Sequence, residues 1–153
     1  VDSELIGQTI HGYVVGQRIG LGGMGRVYQG VEVETLTPVA IKVMLPEYAA
    51  DESFRQRFMR EVELMLELRH PNIISVYSYG EWCGYLYIVM QLVRGPSLER
   101  IMQHRTFNPL TAWQIIRPIT DALGYGHDYQ VLHRDLKSGN ILIEPSGQGN
   151  HPY

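Results

Sequence analysis

The sequence predicts an α+β fold: a small antiparallel sheet of about five strands carrying one helix, over residues 1–94, then the beginning of a helical region over 95–153. Three observations lead there. The first half holds five runs rich in β-branched and aromatic residues, joined mostly by short connections, which favours antiparallel pairing. One amphipathic stretch interrupts them at helical spacing. In the second half, proline and small polar residues punctuate runs whose apolar residues recur every 3.6 positions.

Tyr13–Ile19 is the first strand, leading into a glycine cluster at 20–25, and Val27–Val33 then alternates apolar and polar residues. Thr37–Leu45 is a mostly apolar run suited to a buried strand. From Asp51 to Arg69, Phe54, Phe58, Met65 and Leu68 form one apolar helical stripe, with a stop at His70-Pro71-Asn72. Ile73–Tyr79 and Tyr85–Val93 flank a short GEWCG turn and read as a hairpin. Gly95-Pro96-Ser97 breaks the chain before a short helix to His104, with Ser97 as N-cap. Asn108 and Pro109 are an N-cap and first helical residue. Ala112, Ile115, Ile116, Ile119, Ala122, Leu123 and Gly126 follow, with Pro118 expected to kink the helix locally. Ile141–Ile143 reads as a last short strand.

Composition excludes several classes. At 44% hydrophobic, 19% charged and net charge −3, the chain is an ordinary globular one without the basic excess that binds nucleic acid. Cys83 is the single cysteine, so no internal disulfide forms, and it reads as a small residue near a turn. No apolar run reaches the roughly 18 residues of a membrane span, and no signal peptide is visible. The expectation is a cytoplasmic protein.

Four elements carry chemistry. Gly20, Gly22 and Gly25 fit G-x-G-x-x-G, which lets a backbone approach phosphates closely, though a flexible hairpin would use glycines too. A dinucleotide fingerprint would lead into a helix, whereas Val27-Tyr28-Gln29-Gly30-Val31 reads as a strand. A dinucleotide oxidoreductase is therefore disfavoured. Lys42 sits in the apolar strand Val39-Ala40-Ile41-Lys42, where an ammonium needs solvent or an anion. Glu61 falls in the middle of the helix stripe, while Glu63 and Glu67 point to solvent. A core-facing carboxylate needs a cation, and Lys42 is the candidate. In HRDLKSGN, residues 133–140, Asp135 suits a general base, Lys137 a phosphate contact and Asn140 an oxygen ligand for Mg²⁺. The alternative is a solvated polar turn.

Together, in this order, G-x-G-x-x-G-x-V at 20–27, VAIK at 39–42, Glu61 and HRDLKSGN at 133–140 resemble the eukaryotic-like (Hanks-type) protein kinases. RHPNII at 69–74 and YIVMQLVRGPSL at 87–98 extend the likeness, and GLGGMGRVY with RFMREVE is most similar to the bacterial serine/threonine type. The resemblance implies a kinase N-lobe over 1–94 and a partial C-lobe over 95–153. It implies that Ile19, Gly20, Gly22, Gly25 and Val27 cover ATP, that Ala40 roofs the adenine, and that Lys42, held by Glu61, contacts the α/β-phosphates. Met90 would be the gatekeeper, Gln91, Leu92 and Val93 the hinge, and Leu142 a further cofactor-binding residue. Many relatives carry Glu at the position of Gln91. Asp135 would be the base, Lys137 the phosphate contact, Asn140 the Mg²⁺ ligand, and a protein Ser or Thr the acceptor. Arg134 beside the base suggests control through a phosphorylated activation loop.

The likeness stops after Ile143. Where the family needs D-F-G, the sequence reads EPSGQGN, so little or no phosphoryl transfer is expected of the chain as it stands. Two functions follow as expectations: a serine/threonine kinase by parentage, or a non-catalytic nucleotide-binding module that self-associates through apolar C-lobe surface.

Overall fold

The computed structural model describes residues 5–144, and the chain divides into two compact units, Val1–Leu92 and Val93–Tyr153. The first is built on a six-stranded sheet in the order β1-β2-β3-β4-β6-β5. Its strands are β1 (Thr9–Ile10), β2 (Tyr13–Gly22), β3 (Gly25–Glu32), β4 (Pro38–Met44), β5 (Val76–Trp82) and β6 (Tyr85–Gln91). Every pairing is antiparallel, as expected. The strand the sequence did not announce is β1, whose two residues are too few to display an alternation. It closes on β2 through His11 and Gly12, both at positive φ, 43° and 93°. Cys83 and Gly84 repeat the device between β5 and β6, at 49° and 78°. Paired positive φ values match the right-handed twist of the strands they join.

Alternation along the strands fills both faces. One core gathers Val15, Tyr28, Val39, Ile41, Val43, Tyr87 and Val89 with Leu5 and Ile10. The other gathers Met44, Val76 and Leu86 with Ala49, Phe58 and Val62 from helices on the opposite face. Those helices are α1 (Pro46–Ala49), which the sequence did not announce, and α2 (Glu52–Glu67). Asp51 caps α2, its carboxylate accepting from the backbone N–H groups of Ser53 and Phe54. Burying Phe58 and Val62 stabilises the unit by roughly 1.5–3 kcal/mol each.

The helix face is rotated from the one expected. Its centre is Phe58 and Val62, flanked by Phe54, Met59, Met65 and Leu66, and Leu68 has already left helical geometry at the C-cap. Glu61 therefore lies at the edge of the buried face, half-buried, rather than in its middle. Glu67 is exposed as expected. Glu63, exposed too, accepts the Tyr79 hydroxyl at 2.9 Å and so ties α2 to β5. Arg55 adds an ion pair to Glu81 at 2.6 Å across the same seam.

In the second unit, α3 (Leu98–Met102) and α4 (Pro109–Asp128) start where the sequence placed them. Ser97 Oγ accepts from Arg100 N–H at 3.3 Å, and Asn108 Oδ1 from Thr111 N–H at 2.9 Å. α4 runs unbroken through Pro118. Ile141–Ile143 is not a strand but a single bridge, Leu142 opposite Ser97. Leu98 N–H bonds Ile141 C=O and Ile143 N–H bonds Pro96 C=O, at 2.8 and 2.9 Å. Each reciprocal bond is lost: Pro96 has no N–H, and the N–H of Ile141 turns to Ser138 C=O. The EPSGQGN reading falls, from Pro145 on, outside the described residues.

Candidate active site

In the first unit the glycine cluster is the tip of the β2–β3 hairpin, with Gly22 opposite Gly25 and strand on both sides. No helix follows it, which removes the dinucleotide-binding alternative. The motif glycines are small for different reasons. A Cβ on Gly25 would lie 2.5 Å from Val43 C=O, so this glycine lets β3 run against β4. A Cβ on Gly22 would meet only Gly25 C=O, at 3.8 Å, and one on Gly23 nothing within 4 Å, so the tip has open backbone. Gly20 pairs with Val27, which its Cβ would touch at 3.4 Å.

The return side of the hairpin is tied down. Leu45 N–H donates to Met24 C=O at 3.1 Å. The outgoing side is not: β2 carries irregularities between Val15 and Arg18 and between Arg18 and Gly20. The second leaves Ile19 unpaired and half exposed at a bulge. Bulges re-aim side chains and increase local twist. Nothing in the alternation of YVVGQRIG announces them.

Register sets the neighbours of Lys42. Val27, Lys42 and Ile88 stand opposite one another on β3, β4 and β6, and Gln29, Ala40 and Met90 form the next row on the same face. This is the face on which α2 packs, since Ile88 joins the core of Phe58 and Val62. Lys42 and Glu61 are each half-buried and each engaged in a polar or electrostatic interaction. At the end of β6, Gln91 bonds Ser75 twice, donating its N–H to Ser75 C=O at 2.9 Å and accepting Ser75 N–H on Oε1 at 3.4 Å. Leu92 is half-buried and closes the unit.

In the second unit Val93 is half-buried and Leu142 is 39% exposed at its bridge to Ser97. There the loop at 133–140 draws its polar residues together. Lys137 Nζ lies 2.8 Å from Asp135 Oδ2, and Asn140 Nδ2 donates to the same oxygen at 3.0 Å and to Asp135 C=O at 2.8 Å. The Lys137 ammonium and the Asn140 amide hold the exposed Asp135 carboxyl below the usual carboxylate range. It is thus ionised, the proton-accepting form, at neutral pH. Two local devices make the shape. Asp135 N–H bonds His133 C=O at 2.7 Å around Arg134, whose φ is +59°, a tight three-residue turn. Ser138–Asn140 then form a 3₁₀ turn that swings Asn140 back. No residue type in the loop announces the strained backbone at Arg134.

With Nδ2 spent on Asp135, Asn140 Oδ1 has no donor among the described residues, and it is the kind of oxygen ligand a hard cation such as Mg²⁺ takes. Among the described residues no three His, Cys, Asp or Glu side chains gather into a metal cluster. No helix among them is long and apolar enough to cross a membrane.

Comparison with known proteins gives this geometry a context. The protein kinase domain family matches residues 13–150. Serine/threonine-protein kinase PrkC of Bacillus subtilis is 41% identical over 145 residues, 94% of this chain and 22% of its own length. Serine/threonine-protein kinase PknJ of Mycobacterium tuberculosis is 35% identical over 144 residues, 94% of this chain and 24% of its length. The crystal structure of the Mycobacterium tuberculosis PknI kinase domain superposes with a TM-score of 0.82 at 34% identity, covering 93% of this chain and 58% of that one. The chain thus spans about a quarter or less of these curated relatives. It belongs to the protein kinase family, as the N-terminal part of a kinase domain whose relatives are bacterial serine/threonine kinases.

Proposed function

We propose that the protein containing this chain is a cytoplasmic serine/threonine kinase that transfers the γ-phosphoryl group of ATP to protein hydroxyls. The observation that carries the reading is the convergence of Lys137 and Asn140 on an ionised Asp135. In this reading residues 1–94 are the nucleotide-binding lobe and 95–153 the start of the substrate lobe.

Each residue then has a task. The open backbone at Gly22 and Gly23 covers the phosphates, with Ile19, Gly20 and Gly25 shaping the hairpin. Val27 and Ala40 offer apolar surface to the adenine, and Met90 and Gln91 border it. Lys42, oriented by Glu61, neutralises the α/β-phosphates. Asp135 Oδ accepts the proton of the acceptor hydroxyl, and Lys137 leaves it for the transferred group as charge develops there. Asn140 Oδ1 would hold Mg²⁺, and ATP when bound would supply the phosphoryl group.

Incubating the intact protein with radiolabelled ATP·Mg²⁺ and a generic protein substrate tests the reading. Phosphoserine and phosphothreonine are expected; phosphotyrosine alone, or no label, contradicts it. The 153 residues expressed alone are expected to bind nucleotide with little or no transfer.

One observation favours a second activity, self-association. Leu110, Trp113 and Ile116 on α4 are all more than half exposed. Sedimentation of the 153-residue chain is expected to show concentration-dependent oligomers; a strict monomer at high concentration removes this reading.

A further inference from the structure

Gly139, between Lys137 and Asn140 in the candidate catalytic loop, has a neighbour from outside the loop. A Cβ built there would lie 3.3 Å from Oε2 and 3.8 Å from Cδ of Glu99. The carboxylate of α3 therefore lies over the one residue of the loop's 3₁₀ turn that has no side chain. Glu99 is exposed, and among the described residues no lysine, arginine or histidine is paired with it. Arg100 and Arg105, close in sequence, leave it unpaired as well. Its position in the first turn of a five-residue helix gives it a favourable dipole interaction, but that does not require it to reach Gly139.

We propose that Glu99 is a specificity-determining residue that favours Ser or Thr acceptors with a Lys or Arg two to four positions away. The proposal rests on the phosphotransfer reading above. An acceptor hydroxyl must sit at Asp135, and Asp135 is bonded to Asn140, the residue after Gly139. That chain of contacts keeps the two carboxylates within roughly 15 Å of each other, while an extended peptide advances about 3.3–3.6 Å per residue. A basic side chain a few residues from the acceptor thus meets an anion that has no cation among the described residues. Gly139 is part of the selection, because a side chain there would crowd the carboxylate from its place over the loop.

The test uses the intact protein and a peptide series in which Lys replaces Gln singly at each of the four positions on either side of the acceptor. The wild-type protein is expected to favour at least one Lys peptide in kcat/KM by roughly three- to fivefold, as an exposed charge pair allows. That ratio should fall toward one in Glu99→Gln and reverse toward a Glu-substituted peptide in Glu99→Lys. In the wild type it should also shrink as salt rises from about 0.05 to 0.5 M. A helix-stabilising role alone would move thermal stability and leave the ratio intact. Turnover without a basic preference, or a preference that survives Glu99→Gln, overturns this proposal alone. Failure to phosphorylate any peptide overturns the phosphotransfer reading and this proposal with it.

Discussion

Asn140 holds Asp135 by two atoms at once, its amide donating to the carbonyl at 2.8 Å and to the carboxylate at 3.0 Å. One side chain thereby closes the loop and helps hold the carboxyl it closes on below the usual carboxylate range. Lys137, the larger influence, lies 2.8 Å from the same carboxylate oxygen.

The first prediction concerns titration of Asp135. Its carboxyl is lowered first by Lys137 and then by Asn140, so Lys137→Met should raise it more than Asn140→Ala. Because the folded value is depressed, the loop contacts should be complete above the ordinary carboxylate range and lost as pH falls through the folded value. Carboxyl carbon NMR shifts against pH check both the order and the sign; equal titrations in the two variants contradict it.

A second prediction separates the glycines of the hairpin. Gly25→Ala drives a Cβ into the Val43 carbonyl and should destabilise the first unit by about 1–3 kcal/mol. Gly23→Ala meets open space and should change stability by less than about 1 kcal/mol. Urea unfolding distinguishes them, and similar midpoints would show that β3 does not need the close approach.

The third prediction is at the bridge between Ser97 and Leu142. A Cβ on Gly95 would fall 1.6 Å from Ile143 C=O, an overlap only backbone movement relieves. Gly95→Ala should therefore break the bonds of Leu98 N–H and Ile143 N–H, seen as faster hydrogen exchange at both amides. Unchanged protection there contradicts the account.

A fourth prediction tests a cap read directly from sequence. Asn108→Ala removes the acceptor for Thr111 N–H and should cost about 1 kcal/mol, whereas Asn108→Ser should restore most of it. Thermal unfolding of the two variants is the measurement.

Much of the molecule was legible because it depends on local chemistry. Ser97, Asn108 and Pro109 announce helix starts through side chains that answer unpaired backbone donors. The glycine hairpin was readable because a strand, not a helix, follows it. What escaped depends on backbone relations between segments. The bulge that frees Ile19 is a mismatch between β2 and β3, visible only once both strands are paired. Ile141–Ile143 has the composition of a strand but lacks a partner able to return its bonds. Glu61 was placed by a stripe that included Leu68, yet Leu68 lies past the end of α2, and without it the buried face centres on Val62. At Arg134, the positive φ follows from the loop closing on Asp135, which no side chain preference announces.

The central claim is that Asp135 is the proton acceptor of a phosphoryl transfer. Single-turnover transfer from ATP to a Ser/Thr peptide, measured in the intact protein and its Asp135→Asn variant at saturating nucleotide, tests it most directly. The account predicts a loss of about 100-fold or more in the rate with nucleotide affinity retained; a variant that transfers at the wild-type rate would contradict it.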